Sequence, residues 1–142
     1  KSKIIVIPDS DNTLRSYNEN IIRMHNKYQN LANNLSAQAK FEDISDPKFK
    51  TFMISIANLY AQAAKELQNL ATPVSLADNH IKLINNYMSS SEAAGAVTNI
   101  DQDPIKIFTA LNILAKNGEQ DTVLISNIQV TLLTKGIITN SI

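Results

Sequence analysis

Three of the four prolines directly follow a residue that caps helices: Asp46-Pro47, Thr72-Pro73 and Asp103-Pro104. An Asp or Thr side chain accepts hydrogen bonds from the free N–H groups of a first helical turn. Proline suits the next position, since its missing N–H costs nothing there and its φ is already helical. The chain thus marks three helix starts, and Ser10 or Asp11, just after Pro8, marks a fourth.

The stretches between these starts repeat with helical period. From Asp11 to Gln38 the apolar positions are Leu14, Tyr17, Ile21, Met24, Tyr28, Leu31 and Leu35, a three-four spacing that suits shallow helix packing. From Pro47 to Leu70 the seam runs through Phe49, Met53, Ile56, Tyr60, Ala63 and Leu67. Only Ala71 and Thr72 then precede Pro73, which fits either a tight hairpin or a sharply kinked continuous helix. The third seam carries Leu76, His80, Leu83, Tyr87, Ala94 and Val97. The small residues from Ser89 to Gly95 within it favour a close helix crossing or a break.

A fourth seam begins at Pro104 with Ile107, Phe108, Leu111 and Leu114, and Asn117-Gly118 reads as a stop or a kink. Residues 122–134 alternate as a strand would, yet Ile125, Ile128 and Leu132 keep helical spacing and Lys135-Gly136 suits a helix end. Helix is the reading taken. The run from Lys3 to Ile7 predicts an extended lead-in within residues 1–9. Together these features predict one all-α domain over residues 1–142. Its expected form is an antiparallel up-down-up-down four-helix bundle with the last helix kinked or broken near Gly118.

Composition narrows the chemistry. Thirteen basic residues balance thirteen acidic ones and are spread along the chain, which argues against nucleic-acid binding. The absence of cysteine excludes thiolate catalysis and Cys-ligated zinc, and three glycines disfavour glycine-rich phosphate loops. No run of about 18 apolar residues is present to span a membrane. The chain opens on Lys1 and not on methionine, which predicts that a segment precedes it in the precursor.

Two histidines are the main candidates for chemistry. His25 sits at the edge of the first seam. His80 falls on the third, level with Tyr17 and Tyr60 and near Asn127 and Gln129, which predicts a buried polar layer or one wall of a small-ligand pocket. A packed core histidine bonded to tyrosine is the commoner arrangement. Asp9-Ser10-Asp11-Asn12 resembles the opening of a calcium loop, but Leu14 replaces its glycine and Asn20 its final glutamate, so capping explains it better. No Glu-x-x-His pair, nucleophile elbow or facing carboxylates on the seams points to a metal, a cofactor or catalysis.

The run from Pro73 to Tyr87, Pro-Val-Ser-Leu-Ala-Asp-Asn-His-Ile-Lys-Leu-Ile-Asn-Asn-Tyr, is followed by Asp103-Pro104 and a hydrophobic tail to Gly136-Ile137-Ile138. In this it resembles an uncharacterised family of helical proteins from small-genome candidate-phylum bacteria. The resemblance implies an all-helical, extracytoplasmic domain behind an N-terminal signal or anchor, and it implies no activity. The resulting expectation is a non-catalytic bundle that acts through a protein partner or self-association. The alternative is a small-ligand sensor in which Tyr17, Tyr60 and His80 face the ligand.

Overall fold

The computed structural model describes residues 3–98 and 104–139. Four helices pack against one another: α1 (Asp11–Gln38), α2 (Pro47–Gln68), α3 (Ala77–Val97) and α4 (Pro104–Thr134). Two short strands accompany them, β1 (Ile5–Ile7) and β2 (Ala71–Pro73), paired in parallel with Ile5 opposite Ala71 and Ile7 opposite Pro73.

Capping accounts for two of the helix starts. Ser10 Oγ accepts from the Thr13 N–H at 3.1 Å while Thr13 Oγ1 accepts from the Ser10 N–H at 2.8 Å, a reciprocal box that satisfies two free donors of α1. Asp46 Oδ1 accepts from the Lys48 N–H at 2.8 Å, and Pro47 takes the first position of α2. Asp103 lies outside the described residues, and α4 begins at Pro104.

Thr72-Pro73 does not start α3. Both residues belong to β2, a single 3₁₀ turn over Val74–Leu76 follows, and α3 begins only at Ala77. The buried Thr72 hydroxyl donates backward to the Leu70 carbonyl at 2.9 Å instead of capping forward. The reason is a partner strand far away in sequence. The extended lead-in is that partner, so a segment that locally reads as cap-plus-proline is held extended. Asp9 reinforces the junction by accepting from the Ser75 N–H at 3.2 Å and pairing with Lys135 Nζ at 3.1 Å.

The expected break at Gly118 is also absent, because α4 runs as one helix from Pro104 to Thr134. Asn117 is occupied by α3 and is not free to stop the helix. Its carbonyl accepts from Asn86 Nδ2 at 2.9 Å, and its own amide donates to Ser89 Oγ and Ser90 Oγ at 3.0 and 3.1 Å. The serine-rich middle of α3 therefore serves as a polar clasp on α4 and remains helical. Residues 122–134 are helical as read, and α4 ends where Lys135-Gly136 predicted. Gly136 takes φ 70°, its N–H reaches the Leu133 carbonyl, and the Ile137 N–H reaches Leu132.

Two apolar clusters form the core. One gathers Leu14, Tyr17, Ile21, Met24 and Tyr28 of α1 with Leu67, Leu83, Ile84, Leu124 and Ile128. The other joins Phe49 and Met53 of α2 to Ala94, Val97, Ile107 and Ala110 of α3 and α4. Each fully buried Leu, Ile or Phe contributes about 1.5–3 kcal/mol of transfer free energy. The buried part of α1 thus stops at Tyr28, and Leu31, on its distal part, is exposed.

Candidate functional site

Tyr17 and His80 meet in the first cluster, both with almost no solvent exposure. The tyrosine hydroxyl lies 2.9 Å from His80 Nδ1, and His80 Nε2 lies 2.9 Å from the Leu67 carbonyl. A carbonyl oxygen only accepts, so Nε2 carries the proton. Nδ1 is then the acceptor and Tyr17 the donor. Burial lowers the His80 pKa, the carbonyl bond pulls it partly back, and burial raises that of Tyr17. The pair is closed upon itself. It is a neutral, saturated link between α1, α3 and the end of α2.

Tyr60 joins a different group. Its ring lies 5.8 Å from that of Tyr87, and both tyrosines feel the Asp121 carboxylate of α4. Burial raises the Asp121 pKa, with the Tyr87 hydroxyl and His25 acting the other way. Its Oδ1 is buried and unpartnered among the described residues. The structure therefore brings Tyr17 and His80 together and places Tyr60 with Tyr87 and Asp121. Of the two polar residues predicted near His80 on the last helix, Gln129 is buried and Asn127 exposed.

Sequence reasoning missed Asp121. A signal was present: Asp121 stands three residues before Leu124 and four before Ile125, on the side of α4 that turns inward. The expected absence of carboxylates from the seams overlooks this one, and Glu66 of α2 also accepts from the seam residue Tyr28 at 2.8 Å.

A half-open groove of about 350 Å³ separates α1 from α4. Its apolar surface comes from Ile21, Ile22, Ile125 and Ile128, and its polar surface from His25, Asn26, Thr122, Ser126 and Gln129. Gln129 Nε2 donates to Asn18 Oδ1 at 3.4 Å, while its Oε1 is buried without a partner among the described residues. A larger hollow of about 530 Å³ lies between the far end of α1 and the start of α2, lined by Leu35, Pro47, Phe52 and surface polar residues. No unpartnered buried polar atom lines that second hollow among the described residues.

Among the described residues, no helix is long and apolar enough to cross a membrane. No family model, curated protein or solved structure matches the chain.

Proposed function

We propose that this chain is a non-catalytic helical module that works through contact with another protein, outside the bacterial cytoplasm. The observation that carries this reading is the outer face of α4. Phe108 is 67 % exposed, and Val123, Val130 and Leu133 stand out from the same side of the helix at 50 %, 54 % and 41 %. Single exposed apolar residues are ordinary, whereas several close together on one side of a helix, as Val123, Val130 and Leu133 are, favour contact with a partner. The closed Tyr17–His80 pair supports the non-catalytic part, since its hydrogen-bonding capacity is spent inside the core. The extracytoplasmic setting rests on the family resemblance of the run from Pro73 to Tyr87.

The same reading takes the four helices as alternating in direction, with a bend of α4 at Gly118. Contacts in opposite sequence order support opposite directions for α2 and α3: His80 with Leu67, Tyr60 with Tyr87, and Ser91 with Ala57.

A second copy of this chain is the occupant of the α4 face to be tested first, because net charge is zero and no repulsion opposes self-pairing. Sedimentation velocity of the wild type is expected to show a dimer at tens of micromolar. A Phe108→Glu, Val130→Glu double variant is expected to stay monomeric with unchanged helicity and Tm. A wild type that remains monomeric up to about millimolar concentration overturns the self-pairing form of the proposal.

A further inference from the structure

Asn117-Gly118 is the one Asn-Gly pair in the chain, and the clasp between α3 and α4 holds it without using its chemistry. Glycine has no Cβ to shield its own backbone nitrogen, so that nitrogen can attack the side chain of the asparagine before it. Gly118 is exposed, and an added Cβ would meet nothing within 4 Å. Water therefore reaches this peptide bond.

The reaction balances with water as its co-reactant. Hydroxide takes the Gly118 N–H proton, the nitrogen bonds to Asn117 Cγ, and the Cγ–Nδ2 bond breaks. Ammonia leaves with a proton drawn from water, which restores the hydroxide. Water then opens the cyclic imide at either carbonyl. One opening leaves aspartate, and the other leaves isoaspartate, whose main chain runs through the former side chain.

Native geometry opposes the first step. Within α4 the Gly118 N–H is turned along the axis to the carbonyl four residues back. The Asn117 side chain is turned to α3, where Nδ2 donates to Ser89 Oγ and Ser90 Oγ at 3.0 and 3.1 Å.

The product does not fit the same place. Ser90 Oγ spends its own proton on the Asn86 carbonyl at 2.9 Å, so toward Asn117 it only accepts. A carboxylate there sets oxygen lone pairs against each other. It also puts a second carboxyl group one turn from Asp121, on the same face of α4. Isoaspartate goes further and adds a carbon to the main chain in mid-helix.

We infer that Asn117-Gly118 is a self-modification site held in check by the clasp. Each opening of α4 at this point exposes the pair to conversion, and the product cannot restore the clasp, so α3 and α4 loosen irreversibly. The inference does not rest on the contact reading of α4.

To test it, the whole chain is held in mildly alkaline buffer at physiological temperature for several weeks. Peptide mapping by mass spectrometry follows aspartate and isoaspartate at position 117. Hydrogen exchange of the Gly118 amide is read in parallel, since exchange and conversion both need that N–H released. Wild type is expected to convert at least about tenfold more slowly than the same chain in concentrated urea. A Ser89→Ala, Ser90→Ala double variant is expected to speed conversion and Gly118 exchange together, by roughly fivefold. Gly118→Ala is expected to slow conversion even in urea, because its methyl group shields the nitrogen.

Asn117→Asp supplies one product directly. It is expected to lower Tm and to raise amide exchange in residues 86–90 and 114–121. The serine variant carries the test if Asn117→Asp does not fold. Native conversion as fast as in urea overturns the inference, as does a serine variant that converts no faster than wild type. An Asn117→Asp protein as stable and as protected as wild type overturns it equally.

Discussion

The Tyr17 hydroxyl donates to His80 Nδ1 across 2.9 Å, and this one bond ties the first helix to the third in the centre of the main core. Tyr17→Phe leaves Nδ1 buried without a donor and is expected to cost about 1–3 kcal/mol. His80→Leu leaves the tyrosine hydroxyl equally stranded. The double variant removes both orphaned atoms, so its cost should fall short of the summed single costs by about 1 kcal/mol. Urea melts of the four proteins measure this coupling, and strict additivity would mean that the bond contributes nothing.

The same histidine sets a pH response. Burial holds His80 below the ordinary value of 6.5, with the Leu67 carbonyl opposing in part, so the folded chain stays neutral where the unfolded chain takes a proton. Its contribution to stability is complete above pH 6.5 and is lost as the pH falls through the folded-state value. His80→Gln is expected to flatten that part of the stability–pH curve. A wild-type curve identical to that of His80→Gln below pH 6.5 would contradict the buried neutral ring.

Asp121 acts in the reverse sense. Burial raises its carboxyl above 3.8, so its contribution is complete below pH 3.8 and is lost as the pH rises through the raised value. At neutral pH the charged form is poorly solvated and Oδ1 has no partner among the described residues. Asp121→Asn is expected to raise stability at pH 7 by about 1 kcal/mol, with the gain shrinking toward acid. Thermal melts at the two pH extremes check both the sign and the trend.

Gly118 separates a continuous helix from a broken one. A methyl group added there meets nothing within 4 Å, and Gly136 alone among the described glycines has positive φ. Gly118→Ala is therefore expected to stabilise the protein by about 0.5–1 kcal/mol. A loss of stability on this change would place a turn where α4 is seen to continue.

Asp46 and Thr72 look alike in sequence and differ in the fold. Asp46→Ala is expected to cost about 1 kcal/mol through the lost α2 cap, and Asp46→Asn much less. Thr72→Val keeps the shape and removes only the bond to Leu70. Its effect should appear in amide exchange at the β1–β2 ladder and leave the first turn of α3 unchanged. Hydrogen-exchange mass spectrometry distinguishes the two regions.

Those two residues also explain what sequence could reveal. The starts of α1 and α2 were readable because Ser10 and Asp46 act on N–H groups two or three residues away. Seam residues were readable for the same reason, since Leu14 to Tyr28 follow one local period. Thr72 obeys a strand pairing whose other half lies near the N-terminus, and no local pattern carries that information. Asn117 was misread as a stop because its partners, Asn86, Ser89 and Ser90, are on another helix. The level of Gln129 was legible from helix geometry. Its free oxygen and the groove beside it depend on how far α1 stands from α4, which periodicity does not fix.

The parallel ladder has a consequence for the order of assembly. Ser75 and Asp9, bonded beside the ladder, are 66 positions apart. Pairing at that separation must first close a long loop, whereas the short connection between α2 and α3 brings those helices together early. A nascent chain therefore emits β1 and α1 well before β2 exists to receive them. The helical pairs that follow are expected to dock first, with α1 swinging in afterwards and sealing Tyr17 against His80. Of the described elements, those made earliest are the last to find their place.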